Sequence, residues 1–259
     1  MAVKMTDIHT HILPGIDDGA KDIKESLALI REQKNQGVNQ IVFTPHFRFN
    51  NTNTKDIKSF VANRDCSLKQ LTENEEFRDM NISFRYGAEV YYSVNLAECE
   101  FLDELCIAGT NYILIELPTQ IKPHGLSLIF INLINKGYTP VIAHIERYSY
   151  IVKDPIFLYE LIENGCLAQI NSEVLQEKGK RADNVIKMIK LGLVHFISSD
   201  CHSIEKRPPN LHDGYMAINK KMGNKYVDIL KENSRMLFEN QVVEVELSRK
   251  PIKIFGNWI

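Results

Sequence analysis

The chain has 259 residues, of which 44% are hydrophobic and 25% charged, a composition typical of a globular domain. Its formal net charge of −2 argues against binding nucleic acid or a membrane surface through overall charge, and no apolar stretch reaches the ~20 residues of a membrane span. Residues 1–5 lack the apolar core of a secretory signal, and five cysteines without a CxxC pair fit a reduced compartment, so the expected location is the cytoplasm.

Strand-like apolar runs alternate with helical patterns along most of the chain. The predicted strands are 6–12, 39–46, 83–92 with a break at Gly87, 111–117, 139–145, 167–171 and 194–199. The predicted helices are 22–36, 56–77, 124–135, 155–163 and 181–191, before a mostly helical region that ends near 239. About seven strand–helix units predict an α/β fold with a parallel sheet closed into a barrel, as a single domain. The sequence does not indicate a role for the C-terminal tail, 242–259.

Histidines and carboxylates fall at the ends of these predicted strands, where such barrels build active sites. His9 and His11 are two residues apart on the first strand and therefore share a face. The later strands end in His46, Glu89, Glu116, His144, Asp200 and His202. One such residue alone is more often structural, but a carboxylate inside an apolar run is unfavourable unless it is paired or bound to metal. Mixed imidazole and carboxylate ligands suit Mn²⁺, Fe²⁺ or Zn²⁺, so the joint pattern favours a metal-dependent enzyme.

These residues resemble the polymerase and histidinol phosphatase (PHP) family of metallophosphoesterases, whose fold is a distorted TIM-like barrel of seven strand–helix units. The resemblance rests on Asp7-x-His9-x-His11, His46, Glu89, Glu116, His144 and Ser199-Asp200-Cys201-His202. A narrower similarity, to the bacterial manganese-dependent protein-tyrosine phosphatases of capsule and exopolysaccharide operons, rests on Asp17-Asp18-Gly19, Tyr86-Gly87-Ala88-Glu89, the run from Ile142 to Tyr148, and Arg207-Pro208-Pro209. It extends from Met5 to about Glu239 and implies one PHP-type metallophosphatase domain, 1–259.

The resemblance implies up to three divalent ions, Mn²⁺ first, with iron or zinc as alternatives. It assigns the first ion to His9, His11, Glu89 and Asp200. It assigns the second to Glu89, Glu116 and His144, and the third to Asp18, His46 and His202. Asp18, rather than Asp17, is the position that matches the family. Water activated by the ions would attack phosphorus, and Arg147 and Arg207 would bind the phosphoryl oxygens, although each could instead be a solvated loop arginine. The sequence identifies no general acid.

The substrate that the resemblance implies is the phosphotyrosine tail of a bacterial tyrosine kinase that regulates capsule or exopolysaccharide synthesis. Two alternatives stay open. The chain could be a small-molecule phosphomonoesterase, such as a histidinol phosphatase, or a metal-binding relative without catalysis. The sequence does not indicate the oligomeric state.

A different catalytic class is suggested by the spacing from Cys201 to Arg207, which matches the Cys-x5-Arg pattern of cysteine-dependent tyrosine phosphatases. That loop has no glycine, and the carboxylates of Asp200 and Glu205 oppose a thiolate or a bound anion. We therefore expect Cys201 to be a small buried residue. We also expect His195 to lie in the core or at a cap, and Tyr148 to pack rather than bind substrate. The loop 48–55 is either a solvated connector or a flap over the site.

Overall fold

The computed structural model describes residues 5–49, 54–254 and 257–258. The expectations for 1–4 and for the middle of the loop 48–55 fall outside these ranges. The strands are β1 (Met5–Thr10), β2 (Val38–Phe43), β3 (His46–Phe47), β4 (Ser83–Tyr86), β5 (Glu89–Tyr91), β6 (Tyr112–Glu116), β7 (Thr139–Ile142), β8 (Leu167–Asn171), β9 (Phe196–Ser198) and a tail hairpin of β10 (Lys253–Ile254) and β11 (Asn257–Trp258).

The helices are α1 (Ile23–Asn35), α2 (Thr54–Glu73), α3 (Glu75–Asp79), α4 (Leu126–Asn135), α5 (Ser149–Val152), α6 (Pro155–Glu163), α7 (Lys180–Lys190), α8 (Leu211–Met222) and α9 (Asn224–Phe238). Among the described residues, no helix is both long and apolar enough to cross a membrane. The prediction of one helix over 56–77 is wrong, because Asn74 interrupts it. The Asn74 side chain accepts a hydrogen bond from the backbone N–H of Phe77 and caps a separate α3.

The strands from β1 to β9 pair in parallel, in two sheets that follow the order of the chain. β1, β2 and β4 pair in one sheet, and β3, β5, β6, β7, β8 and β9 pair in the other. β2 and β3 are two halves of one strand, as are β4 and β5, and the second interruption is the predicted break at Gly87. A Cβ at Gly87 would lie 3.0 Å from the carbonyl oxygen of Cys106, so the chain passes too close there for a larger residue.

Backbone hydrogen bonds join the first strand to the segment that follows the last one. The N–H of Asp200 donates to the carbonyl of His9 at 3.0 Å, and the N–H of His11 donates to the carbonyl of Cys201 at 2.9 Å. Seven strand positions are thereby linked into a curled barrel, which confirms the predicted fold class. The carboxyl ends of β1 and β9 are brought side by side by the same bonds.

A small apolar cluster takes residues from six strands, among them Ile8, Val42, Leu114, Val141, Leu167 and Phe196. Leu237 and Phe238, at the end of α9, also belong to it. A larger cluster packs the helices against the outside of the sheet. Both clusters exclude water, so polar side chains at the strand ends are held in a fixed, mostly buried frame.

Candidate metal centre

All nine residues that the sequence assigns to metal lie at one end of the barrel. Eight come from the strand ends or the segments that follow them. His9 lies within β1 and His11 just after it, His46 lies in β3, Glu89 in β5 and Glu116 in β6, His144 follows β7, and Asp200 and His202 follow β9. Asp18 comes from the loop between β1 and α1. The predicted strand over 139–145 ends early, at Ile142, because His144 has a left-handed backbone with φ of 32°.

Glu89 is the centre of this cluster. Its Oε2 atom lies 3.2 Å from Nε2 of His9 and 3.3 Å from Nε2 of His11. The same oxygen is 2.9 Å from Nδ1 of His46, and Oε1 is 2.7 Å from Nε2 of His144. Ligands bound side by side to one ion at about 2.1 Å are separated by roughly 3.0–3.5 Å, so these spacings fit shared coordination.

The tautomers of His9 and His11 provide a test of whether the residues fit a metal. Nδ1 of His9 is 3.3 Å from Oε1 of Gln169, and Nδ1 of His11 is 2.7 Å from Oδ2 of Asp17. Both partners are acceptors, so both Nδ1 atoms carry a hydrogen, and Nε2 is the ring nitrogen that is left to bind a metal ion. These two Nε2 atoms are 3.2 Å apart. Two ring nitrogens that face each other at that distance need a cation beside them, a proton in the metal-free protein or a metal ion in its place, so the donor set fits a metal ion.

The charges of the centre also favour a cation. The pKa of Glu89 and that of Asp200 lie well below their usual ranges because, against the opposing effect of burial, the positive charge of His9 stabilises both carboxylates. The pKa of His11 is raised well above its usual value, since the hydrogen bonds to neighbouring carboxylates outweigh its burial. A site that holds carboxylates ionised and draws protons onto imidazoles is one that binds cations.

The donor atoms fall into three overlapping groups, each within 4.8 Å: His9, His11 and Glu89; His46, Glu89 and Glu116; and His11, Asp18, His46 and His202. In the last group Oδ1 of Asp18 is 3.4 Å from Nε2 of His46 and 3.5 Å from Nε2 of His202. The grouping differs from the set that the family resemblance implies, since His11 also joins the Asp18 group and His46 also joins the Glu116 group. Asp200 and His144, which the resemblance assigns to the first and second ions, belong to none of the three groups.

Asp17 and Asp18 have different environments although they are neighbours. The Asp18 side chain is 70% exposed and faces the imidazoles, whereas the Asp17 side chain is 5% exposed. Asp17 accepts hydrogen bonds from Nδ1 of His11, from the N–H of Gly19 at 3.0 Å and from the N–H of His46 at 3.0 Å. Sequence reasoning missed this orienting role of Asp17. The feature of the sequence that could have indicated this role is Gly19, two residues later. A Cβ at that position would lie 2.1 Å from the carbonyl oxygen of His11, so a larger residue would not fit there.

Both predicted arginines contact Asp200 at the mouth of the centre. Oδ1 of Asp200 faces the imidazoles, at 3.5 Å from Nε2 of His9 and 3.3 Å from Nε2 of His11. Its Oδ2 is 2.9 Å from Nη2 of Arg147 and also pairs with Arg207. The arginine side chains are 31% and 33% exposed. They therefore lie between the buried ligands and solvent, where an incoming anion would meet them.

Arg48 is a further cation near the mouth that sequence reasoning did not single out. Its guanidinium lies 4.4 Å above the ring of Tyr91, and Nη2 is 3.5 Å from Oε2 of Glu116. The side chain is 62% exposed. The sequence predicted only a loop beginning at 48. It did not indicate that Arg48 has partners, because those partners lie on strands that are distant in sequence.

Cys201 is fully buried, and burial raises the pKa of its thiol to about 12. A buried thiol that stays protonated near neutral pH is a poor nucleophile, which argues against the cysteine-phosphatase alternative, and the expected burial of Cys201 is confirmed. Tyr148 is also buried, as expected, but it has a polar role. Its hydroxyl accepts a hydrogen bond from the N–H of Leu117 at 2.8 Å and lies 3.1 Å from Nδ1 of His144. His195 lies in the core, where burial lowers its pKa to about 4.

Comparisons with known proteins agree with this geometry. The sequence model of the family described as capsular polysaccharide synthesis, CpsB/CapC, matches residues 5–239. The chain is 34% identical to the tyrosine-protein phosphatase YwqE of Bacillus subtilis over 245 residues, 92% of this chain and 93% of the relative. It is 32% identical to the tyrosine-protein phosphatase CpsB of Streptococcus agalactiae over 248 residues, 92% of this chain and 100% of the relative.

A solved structure is also similar. It belongs to a study of YwqE from Bacillus subtilis and CpsB from Streptococcus pneumoniae, described as unique metal-dependent tyrosine phosphatases. Its TM-score with this chain is 0.82 at 29% sequence identity, covering 96% of this chain and 100% of the other. The similarity therefore includes the whole barrel and the end at which the candidate ligands meet.

Proposed function

Since the chain belongs to the CpsB/CapC family of capsular polysaccharide synthesis, we propose that it is a metal-dependent protein-tyrosine phosphatase. The proposal is carried by one observation: Glu89 is surrounded by four imidazoles and belongs to two of three overlapping ligand groups, which lie next to two arginines. Imidazole and carboxylate donors without a thiolate suit Mn²⁺, with Fe²⁺ or Zn²⁺ as alternatives. The whole chain would act as one domain, in the cytoplasm.

The ligands would divide among up to three ions, with His9, His11, Glu89 and Asp200 on the first, Glu89, Glu116 and His144 on the second, and Asp18, His46 and His202 on the third. When bound, the ions supply Lewis-acid activation of water and of the phosphoryl group. Arg147 and Arg207 bind the phosphoryl oxygens by their planar N–H groups and hold the ester in line for attack.

The charge of the centre suits a phosphate monoester. Four carboxylates, those of Asp18, Glu89, Glu116 and Asp200, carry four negative charges, which two divalent ions balance. A third ion and the two arginines make the site positive toward a phosphate dianion. Phenol leaves more readily than an aliphatic alcohol, since its pKa is about 10, so a phosphotyrosine needs little help from a general acid.

The proposed substrate is the phosphotyrosine tail of a bacterial tyrosine kinase that regulates polysaccharide synthesis. The exposure of Asp18, Arg147 and Arg207 supports a site that opens to solvent, where a flexible phosphorylated tail reaches the ligands without unfolding a domain. A small phosphomonoester such as histidinol phosphate would fit the same ligands, and it is the second candidate.

The test is hydrolysis of a phosphotyrosyl peptide by protein that has been stripped by a chelator and then supplied with Mn²⁺. We expect activity to disappear with the metal and return with Mn²⁺, and to favour the peptide over phosphoserine peptide and histidinol phosphate. Glu89→Gln should abolish activity, because the substitution removes the negative charge that two of the three ligand groups share. Activity that survives thorough chelation would overturn the metal mechanism, and faster turnover of histidinol phosphate would overturn the substrate.

A further inference from the structure

β8 carries two buried amide side chains beside the centre, although none of the nine candidate ligands comes from this strand. Gln169 and Asn171 are two residues apart on β8 and therefore share a face of the sheet. Gln169 is fully buried and Asn171 is 4% exposed. Buried amides are unfavourable unless their polar atoms are hydrogen-bonded, so their partners indicate what they do.

Gln169 contacts two candidate ligands from different strands. Its Oε1 atom is 2.8 Å from the backbone nitrogen of His144 and 3.3 Å from Nδ1 of His9. A backbone N–H can only donate, so the atom that faces it must be the amide oxygen. Nδ1 of His9 must then carry a hydrogen, which leaves Nε2, on the side of the ring that faces Glu89, available to bind a metal ion.

Asn171 continues the chain of hydrogen bonds to a third ligand. Nε2 of Gln169 donates to Oδ1 of Asn171 at 3.0 Å, and Nδ2 of Asn171 donates to Oδ2 of Asp200 at 2.6 Å. All three side-chain bonds run in one direction, from the imidazole of His9 to the carboxylate of Asp200. Oδ2 of Asp200 is held by Asn171 from the side of β8, and by Arg147 and Arg207 from the side of the solvent, so Oδ1 is left to face His9 and His11.

We infer that Gln169 and Asn171 are positioning residues, which set the tautomer of His9 and the orientation of Asp200 for metal binding. The inference rests on the proposed metal-dependent function. Partners of this kind fix which ligand atom faces the metal, and their loss weakens metal affinity by about 10–100-fold. Because one amide pair orients ligands of β1, β7 and β9, it also fixes the register of three strand ends that are distant in sequence.

The direction of the hydrogen bonds makes the inference specific. A glutamate at 169 keeps the acceptor for His9 but cannot donate to Asn171, which must then either lose that bond or turn its oxygen toward Asp200. An aspartate at 171 can accept from Gln169 but places a carboxylate against that of Asp200. Each substitution preserves the size of the side chain, replaces the amide donor and adds a negative charge, so packing alone predicts little effect from either.

The experiment compares Gln169→Met, Gln169→Glu and Asn171→Asp with a matched control, Gln40→Met. Gln40 is also a buried strand glutamine, 5% exposed, and its Oε1 accepts a hydrogen bond from the hydroxyl of Thr6 at 2.7 Å, away from the centre. Each protein is equilibrated with graded Mn²⁺. The Mn²⁺ retained per chain is measured by atomic absorption, and the melting temperature of the metal-free protein is measured alongside.

The three centre variants should retain Mn²⁺ about 10–100-fold more weakly than the wild type, and Gln40→Met should match the wild type even where its metal-free melting temperature falls. Equal Mn²⁺ retention in Gln169→Glu, Asn171→Asp and the control would overturn the inference. Since retention needs no substrate, a wild type that binds Mn²⁺ but hydrolyses no phosphotyrosine would refute the proposed function alone. If Gln169→Met does not fold, the two isosteric variants decide the question.

Discussion

Replacing Asp17 with asparagine removes the carboxylate that holds His11 in place, without removing any proposed ligand. Although burial opposes it, the hydrogen bond from His11 lowers the pKa of Asp17 from 3.8 to about 2. At about 1.4 kcal/mol for each tenfold change in acidity, the ionised form contributes roughly 2 kcal/mol to the stability of the metal-free protein at neutral pH. An asparagine at 17 would also place its NH₂ group, a donor, against one of the N–H groups that donate hydrogen bonds to Asp17.

We therefore expect Asp17→Asn to lower the free energy of unfolding of the chelated protein by about 2 kcal/mol at pH 7, and its melting temperature by about 4–8 °C. The pKa of Asp17 is depressed in the folded state, so the contribution is present above the unfolded value near 4. It is lost as the pH falls toward 2. Denaturant unfolding at several pH values measures this, and the gap between wild type and variant should close in acid.

The matched control is Asp18→Asn, because this neighbour is 70% exposed and faces the imidazoles directly. It should leave the stability of the metal-free protein unchanged while weakening Mn²⁺ retention. Asp17→Asn should weaken retention as well, by about 10–100-fold, through the orientation of His11. If Asp17→Asn melts with the wild type in the absence of metal, or if its deficit is the same at pH 7 and in acid, the assigned electrostatic role is refuted.

Gly19→Ala should reduce Mn²⁺ retention and stability together, since the added Cβ would lie 2.1 Å from the carbonyl oxygen of His11; metal analysis and thermal melting of the variant check this. Arg147→Lys and Arg207→Lys should each lower kcat/KM for a phosphotyrosyl peptide by about tenfold, mainly through KM, because a lysine keeps the charge but loses the planar pair of donors. An unchanged KM in both variants would argue against phosphate binding there. Cys201→Ser should retain activity within about threefold, as its buried thiol has a pKa raised to about 12; loss of turnover in a folded, metal-loaded variant would contradict this.

Most of the fold and the ligand types followed from local patterns. His9 and His11 share a face because side chains alternate along a strand, and Glu116 stood out because a carboxylate at the end of an apolar run needs a partner. The alternation of strands and helices predicted a barrel, and parallel strands bring their carboxyl ends together at one end. Those rules depend on residues close in sequence, so the ligands at the strand ends could be predicted from the sequence, whereas Asp18, Arg147 and Arg207 were assigned from the family resemblance.

The tertiary structure decided how these residues are arranged around one another. Closure of the barrel brings His9 to within 3.3 Å of Gln169, which is 160 residues away, and no local pattern records such a distance. Left-handed backbone at His144 and Asp200 sets where their side chains point, against what a continued strand would give. Asp17 and Asp18 are chemically identical in sequence. The family resemblance pointed to Asp18, but the physical reason lies in the fold, which buries Asp17 beside Gly19, where it orients an imidazole, and exposes Asp18 toward the candidate ion site.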